Sequence, residues 1–136
     1  MLPTQVFILY AAEDYDIAKE IHKHLHTAAP KNWQFFIQIE PGQEHSKYLE
    51  YAHSAAIVIA MLSADFFDKG LDAVLLKCVG RIYFVYARYC LHKYGARVKL
   101  PNPKHPIDSS HWKSKQQPYQ IVSNTILRRK TISYYI

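Results

Sequence analysis

The chain has 136 residues, 49% of them hydrophobic, and a formal net charge of +6. That size supports one domain around one core. Its longest apolar run, residues 55–62, is far below the roughly 20 needed to cross a bilayer, so no membrane span is predicted. The opening residues Met1-Leu2-Pro3-Thr4-Gln5 lack the basic and then apolar pattern of a secretory signal, which makes the cytoplasm the expected compartment. Cys78 and Cys90 are too few for a disulfide framework or a four-ligand zinc site, and their apolar neighbours predict buried free thiols.

Val6-Phe7-Ile8-Leu9-Tyr10 is a continuous β-branched and aromatic run, the mark of a strand buried on both faces of a parallel sheet. After Ala11-Ala12, the acids Glu13 and Asp14 open a helix over residues 14–28, where the macrodipole favours negative charge. Ile17, Ala18, Ile21, Leu25 and Ala28 form its apolar stripe. A second strand is predicted from Trp33 to Ile39, ending at the turn Glu40-Pro41-Gly42. A helix follows over residues 44–53 with Tyr48, Leu49 and Ala52 inward, then a third, fully buried strand over residues 55–62.

Ser63-Ala64-Asp65 can cap a short helix carrying Phe66 and Phe67, with a second helical piece from Leu71 to Cys78 after Gly70. Ile82 to Tyr86 is the fourth strand. Residues 90–114, with three prolines and little periodicity, read as a long surface connection, and a last helix spans residues 117–129. Residues 1–130 are expected to form one domain and 131–136 a tail of high β-propensity. The alternation implies an α/β fold: a flavodoxin-like, doubly wound parallel sheet of four to five strands with helices on both faces. Ligands of such sheets sit beyond the carboxyl ends of the strands, which directs attention to residues 10–13, 40–44 and 63–72.

Several of these segments, taken together, resemble the Toll/interleukin-1 receptor (TIR) family, in its bacterial form. Val6 to Asp14 is similar to the family's first strand and acidic turn. Glu40-Pro41-Gly42-Gln43 falls where the family has its BB loop, and Ala56 to Phe66 is similar to the third strand and the Ser-x-x-Phe segment after it. Ile82 to Cys90 looks like the fourth strand, and Lys99-Leu100-Pro101 through Pro106-Ile107 to Trp112 like the Leu-Pro, Pro-Val and Trp stretch before the last helix. The resemblance covers about residues 5–129; each motif alone is weak, and their order carries the likeness.

Enzymatic members of that family cleave NAD with a glutamate in a Trp-Cys-x-x-Glu setting. Counted from Ser63, the tryptophan position holds Leu71 and the glutamate position Leu75. Leucine can neither hold ribose hydroxyls nor stabilise positive charge at the anomeric carbon. The resemblance therefore implies a non-catalytic interaction module without a cofactor. Its binding loop would be Glu40, Pro41, Gly42, Gln43 and Glu44, and its strand-end cleft Tyr10, Ala11, Ser63, Asp65 and Phe66. The expected partner is a protein, either another TIR-like domain or a second copy. The alternative is a divergent enzyme with NAD as substrate and Asp72 or Glu13 as a displaced carboxylate.

Other chemistries find less support. His22, His24 and His26 share a helix, but no Glu completes a His-Glu-x-x-His zinc motif, so they read as a solvated face. With four glycines and no Gly-rich loop, nothing cradles a phosphate. The basic residues from Lys77 to Lys130 meet only Asp72 and Asp108, an asymmetry that reads as a solvated basic surface rather than a nucleic-acid site.

Overall fold

The computed structural model describes residues 3–37, 44–91 and 99–132, with side chains described except at 44–46 and 129–132. Four strands, β1 (Thr4–Leu9), β2 (Trp33–Phe36), β3 (Ile57–Leu62) and β4 (Arg81–Tyr86), form one sheet in the order β2-β1-β3-β4. Every pairing is parallel. Parallel strands need crossovers, and here these are α1 (Tyr15–Ala28), α2 (Glu44–Ser54), and the short α3 (Ala64–Asp68) and α4 (Asp72–Leu75). The helix α5 (Gln117–Ile132) closes the chain. The fold is the expected flavodoxin-like α/β arrangement.

The two-residue repeat of a strand sends alternate side chains to opposite faces. On one face Val6, Ile8, Ile59, Met61, Tyr83 and Val85 pack with Ala18, Ile21 and Leu25 of α1 and Val122 and Ile126 of α5. On the other, Phe7, Leu9, Val58, Ala60 and Leu62 pack with Phe66 of α3, Leu71 just before α4 and Leu75 of α4. Tyr51 of α2 stacks on Phe36 at 4.3 Å between ring centroids. β3 and, from Val6 onward, β1 are central and apolar because both of their faces are covered.

Several boundaries depart from the sequence expectation. β2 ends at Phe36 rather than Ile39, with residues 38–43 outside the described part. The helical piece expected over 71–78 shortens to Asp72–Leu75, and Val79 instead donates its N–H to the Ala52 carbonyl at 3.2 Å. The last helix continues to Ile132, since adding a residue to a formed helix costs little. Cys90 is buried as expected, but Cys78 is only partly so.

The largest correction concerns residues 90–114, read as a surface connection. Leu100 forms a parallel bridge with Val85, donating to the Phe84 carbonyl at 2.8 Å and accepting from Tyr86 at 2.6 Å. Lys99 and Ile107 are buried, and Ile107 donates to the Tyr86 carbonyl at 2.9 Å. A fifth strand position is thus reduced to a single bridge, and proline-interrupted chain covers the β4 edge, which the absence of periodicity concealed. Among the described residues no helix is long and apolar enough to cross a membrane.

Two glycines carry backbone constraints. Gly70 has φ +70° in the turn between α3 and α4, a conformation that L-residues rarely adopt. Gly80 enters β4 so close to the preceding crossover that a Cβ would lie 2.3 Å from the Ala55 carbonyl oxygen and 2.5 Å from that of Ala56. Both contacts are to backbone, which cannot swing aside. Gly80→Ala is expected to destabilise the fold by about 1–3 kcal/mol, seen as a lower midpoint in urea unfolding.

Candidate functional site at the carboxyl edge of the sheet

The chain leaves β1 through a 3-10 turn, Ala12–Asp14, closed by the Asp14 N–H donating to the Ala11 carbonyl at 2.8 Å. This turn drops Asp14 inward, where its side chain is fully buried. Two groups meet its two oxygens. Ser63 Oγ, at the end of β3, donates to Oδ2 at 2.5 Å, and Arg88 Nε, just past β4, donates to Oδ1 at 2.5 Å. The other end of the guanidinium donates from Nη2 to Asp65 Oδ2 at 2.5 Å. Ser63 also caps α3 by accepting from the Phe66 N–H at 3.2 Å.

The result is a closed polar centre in which each group answers another. Two carboxylates hold one guanidinium, and the Arg88 side chain is driven still further towards its charged form by its hydrogen bonds to Asp14 and Asp65. Asp14 does not cap its own helix. The macrodipole role expected for it is secondary to the buried ion pair. Glu13, its neighbour, points out and pairs with Lys69 at 2.7 Å, both side chains about half exposed. The Lys69 hydrogen bond lowers the pKa of the Glu13 carboxyl.

Of the expected strand-end residues, Ser63 and Asp65 enter this centre directly. Ala11 and Phe66 are buried beside it and give it apolar walls. Tyr10 is half-buried with its ring 6.0 Å from that of Tyr15, and burial, then the neighbouring Tyr15 and Tyr48, push its phenol up. Asp72 opens α4 and, among the described residues, no hydrogen bond or ion pair joins it to the centre. Leu75 is buried at 6% exposure. Of the expected interaction loop, Glu40 to Gln43 lie outside the described residues and Glu44 begins α2.

Asp14, read from the sequence only as a helix-start acid, and Arg88 are the site residues that the sequence alone does not single out. The signal was present for Arg88: it lies two positions beyond β4, where the same carboxyl-edge rule that selected Ser63 applies. His22 and His24 of α1 are less solvated than expected, while His26 is exposed. His22 lies 4.9 Å from the Phe35 ring, and burial, then His26, lowers its pKa. The His24 ring stacks on Tyr119 at 5.7 Å, and its Nε2 is 2.6 Å from Gln116 Oε1.

Beside the polar centre, on the α1 and α5 side, a cleft of about 590 Å³ opens between α1, the 107–116 segment and the start of α5. Glu20, Asp108, Trp112 and Tyr119 line it. The Tyr119 phenol is pushed up to about 12 by burial and then by Glu20, Asp108 and Asp16. A scan against protein-family models, a search of curated proteins and a search of solved structures each give no match to this chain.

Two outcomes are expected from this geometry. Arg88→Met removes the one cation that, among the described residues, pairs with the fully buried Asp14 carboxylate, and should cost about 3 kcal/mol, the low end of the range for breaking a buried pair, because Ser63 remains as a donor. Arg88→Lys should recover only part of it, since an ammonium cannot span Asp14 and Asp65 as the planar fork does; urea unfolding of both variants checks this. For Tyr119 the unfolded chain loses its phenolic proton first, so stability falls as pH rises from 10.0 to about 12. Tyr119→Phe should flatten that fall in unfolding curves taken across the window.

Proposed function

We propose that this chain is a non-catalytic interaction and signalling module of the TIR type, acting in a prokaryotic defence or conflict system. The observation that carries the reading is the state of the carboxyl edge. Where the resemblance puts a catalytic glutamate, a buried apolar Leu75 packs in the core layer beneath α4, and the acids closest to Ser63 are already held by Arg88. A carboxylate committed to a guanidinium and a hydroxyl is poorly placed to hold ribose hydroxyls.

In this reading the domain works by contact with a protein, another TIR-like domain or a second copy. The loop from Glu40 to Glu44 and the adjoining helices supply the contact surface. The Asp14 centre would hold the ends of β1, β3 and β4 in one arrangement, so that binding near them costs little reordering. A cytoplasmic location belongs to the same reading. The alternative, an enzyme with NAD as substrate, would need Asp72 or Glu13 in the glutamate's place. Glu13 is engaged by Lys69, which weakens its claim.

The test is NAD turnover by the purified protein at high concentration, with and without a crowding agent, because enzymes of this family generally need assembly to act. No nicotinamide release is expected in either state. Release that disappears in Asp72→Ala or Glu13→Ala would overturn the reading and make the chain an enzyme with a displaced carboxylate.

A further inference from the structure

The cleft beside the polar centre uses none of the four residues that close that centre, and its chemistry is distinct. At about 590 Å³ it falls within the size range of small-molecule sites. Two aromatic side chains and two carboxylates line it, with the exposed Lys115 as the one cation among its lining residues. Trp112 is held in place: its Nε1 donates to the Pro106 carbonyl at 2.8 Å, and the His111 ring meets it edge-on at 4.9 Å. Tyr119 is braced by the stacked His24 ring.

Charge is the informative feature. The chain carries +6 overall, yet at Tyr119 the local field is negative, since Glu20, Asp108 and Asp16 all oppose ionisation of its phenol. Glu20 has His24 at 3.9 Å, a pair only when the imidazole is protonated. Among the described residues Asp108 joins no ion pair. Arg88, held directly by Asp14 and Asp65, acts on Asp108 only from beyond ion-pair distance. Two carboxylates that no described Lys or Arg pairs directly, beside two fixed aromatic rings, match an ammonium or guanidinium, which gains charge-assisted hydrogen bonds from the first and ring attraction from the second. An anion would be repelled. An uncharged ligand would cover the carboxylates without compensating them.

We propose that this cleft binds a small organic cation, an amine or guanidine on a short aliphatic stem. Glu20 and Asp108 would hold the charge, and Trp112 and Tyr119 would flank the stem. The proposal stands independently of the interaction-module reading, since it rests on the cleft alone.

The two tryptophans are Trp33 and Trp112, so a W33F protein reports on Trp112 fluorescence without interference. Propylguanidine is the probe, and propylurea, of the same shape without the charge, is the control. Expected are a saturable change in emission with a Kd of about 1 mM or tighter, and at least about tenfold weaker binding in Glu20→Gln/Asp108→Asn. Propylurea should give no saturable change. Asp108→Asn alone, at an exposed loop position, should weaken binding in the same direction and keeps the test decisive should the double variant lose its fold. A non-saturating response, an equal response to propylurea, or unchanged affinity in the carboxamide variants would overturn the proposal.

Discussion

A carboxylate taken wholly out of water must be met on both oxygens, and the burial of Asp14 organises the carboxyl edge of this sheet around that requirement. Its partners come from different connections. Ser63 follows β3, and Arg88 follows β4. Arg88 in turn reaches Asp65 in the first turn of α3. The ends of β1, β3 and β4 are therefore tied by one set of hydrogen bonds to a single buried charge. A shift of any one strand end would strand either the carboxylate or the guanidinium.

That centre decides how the edge of the sheet can be used. In doubly wound folds the crevice beyond the strands is the natural place for a ligand, but here its middle is occupied by the protein's own side chains. A cleft opens to the side, where the 107–116 segment stands off α1 and α5. The chain that leads into that segment bridges β4 at Leu100, and Ile107 at its start donates a hydrogen bond to the Tyr86 carbonyl. This stretch therefore both protects the open sheet edge and supplies one wall of the cleft.

The two faces of the sheet are built differently. α1 and α5 lie over one face as long helices with a continuous apolar layer beneath. The opposite face is covered by α2 together with two short helices, and aromatic rings from α2 reach down to Phe7 and Phe36.

Much of the architecture was legible because apolar periodicity is a local property. The unbroken runs at Val6 to Leu9 and Ile57 to Leu62, short and rich in β-branched and aromatic residues, read as strands covered on both sides, and the stripe from Ala18 to Leu25 reads as the inner face of a helix. Ser63 and Asp65 were found by the rule of strand ends. The sequence by itself could not show that Asp14 and Arg88 meet, because 74 residues separate them and an acid before a helix already has a sufficient local explanation in the macrodipole. Nor could it show that Lys99 and Ile107 are buried, since their partner is an edge supplied from elsewhere in the chain. Local patterns determine which segments become strands and helices; which polar groups lose their water, and therefore must find each other, is decided only when the segments are packed together.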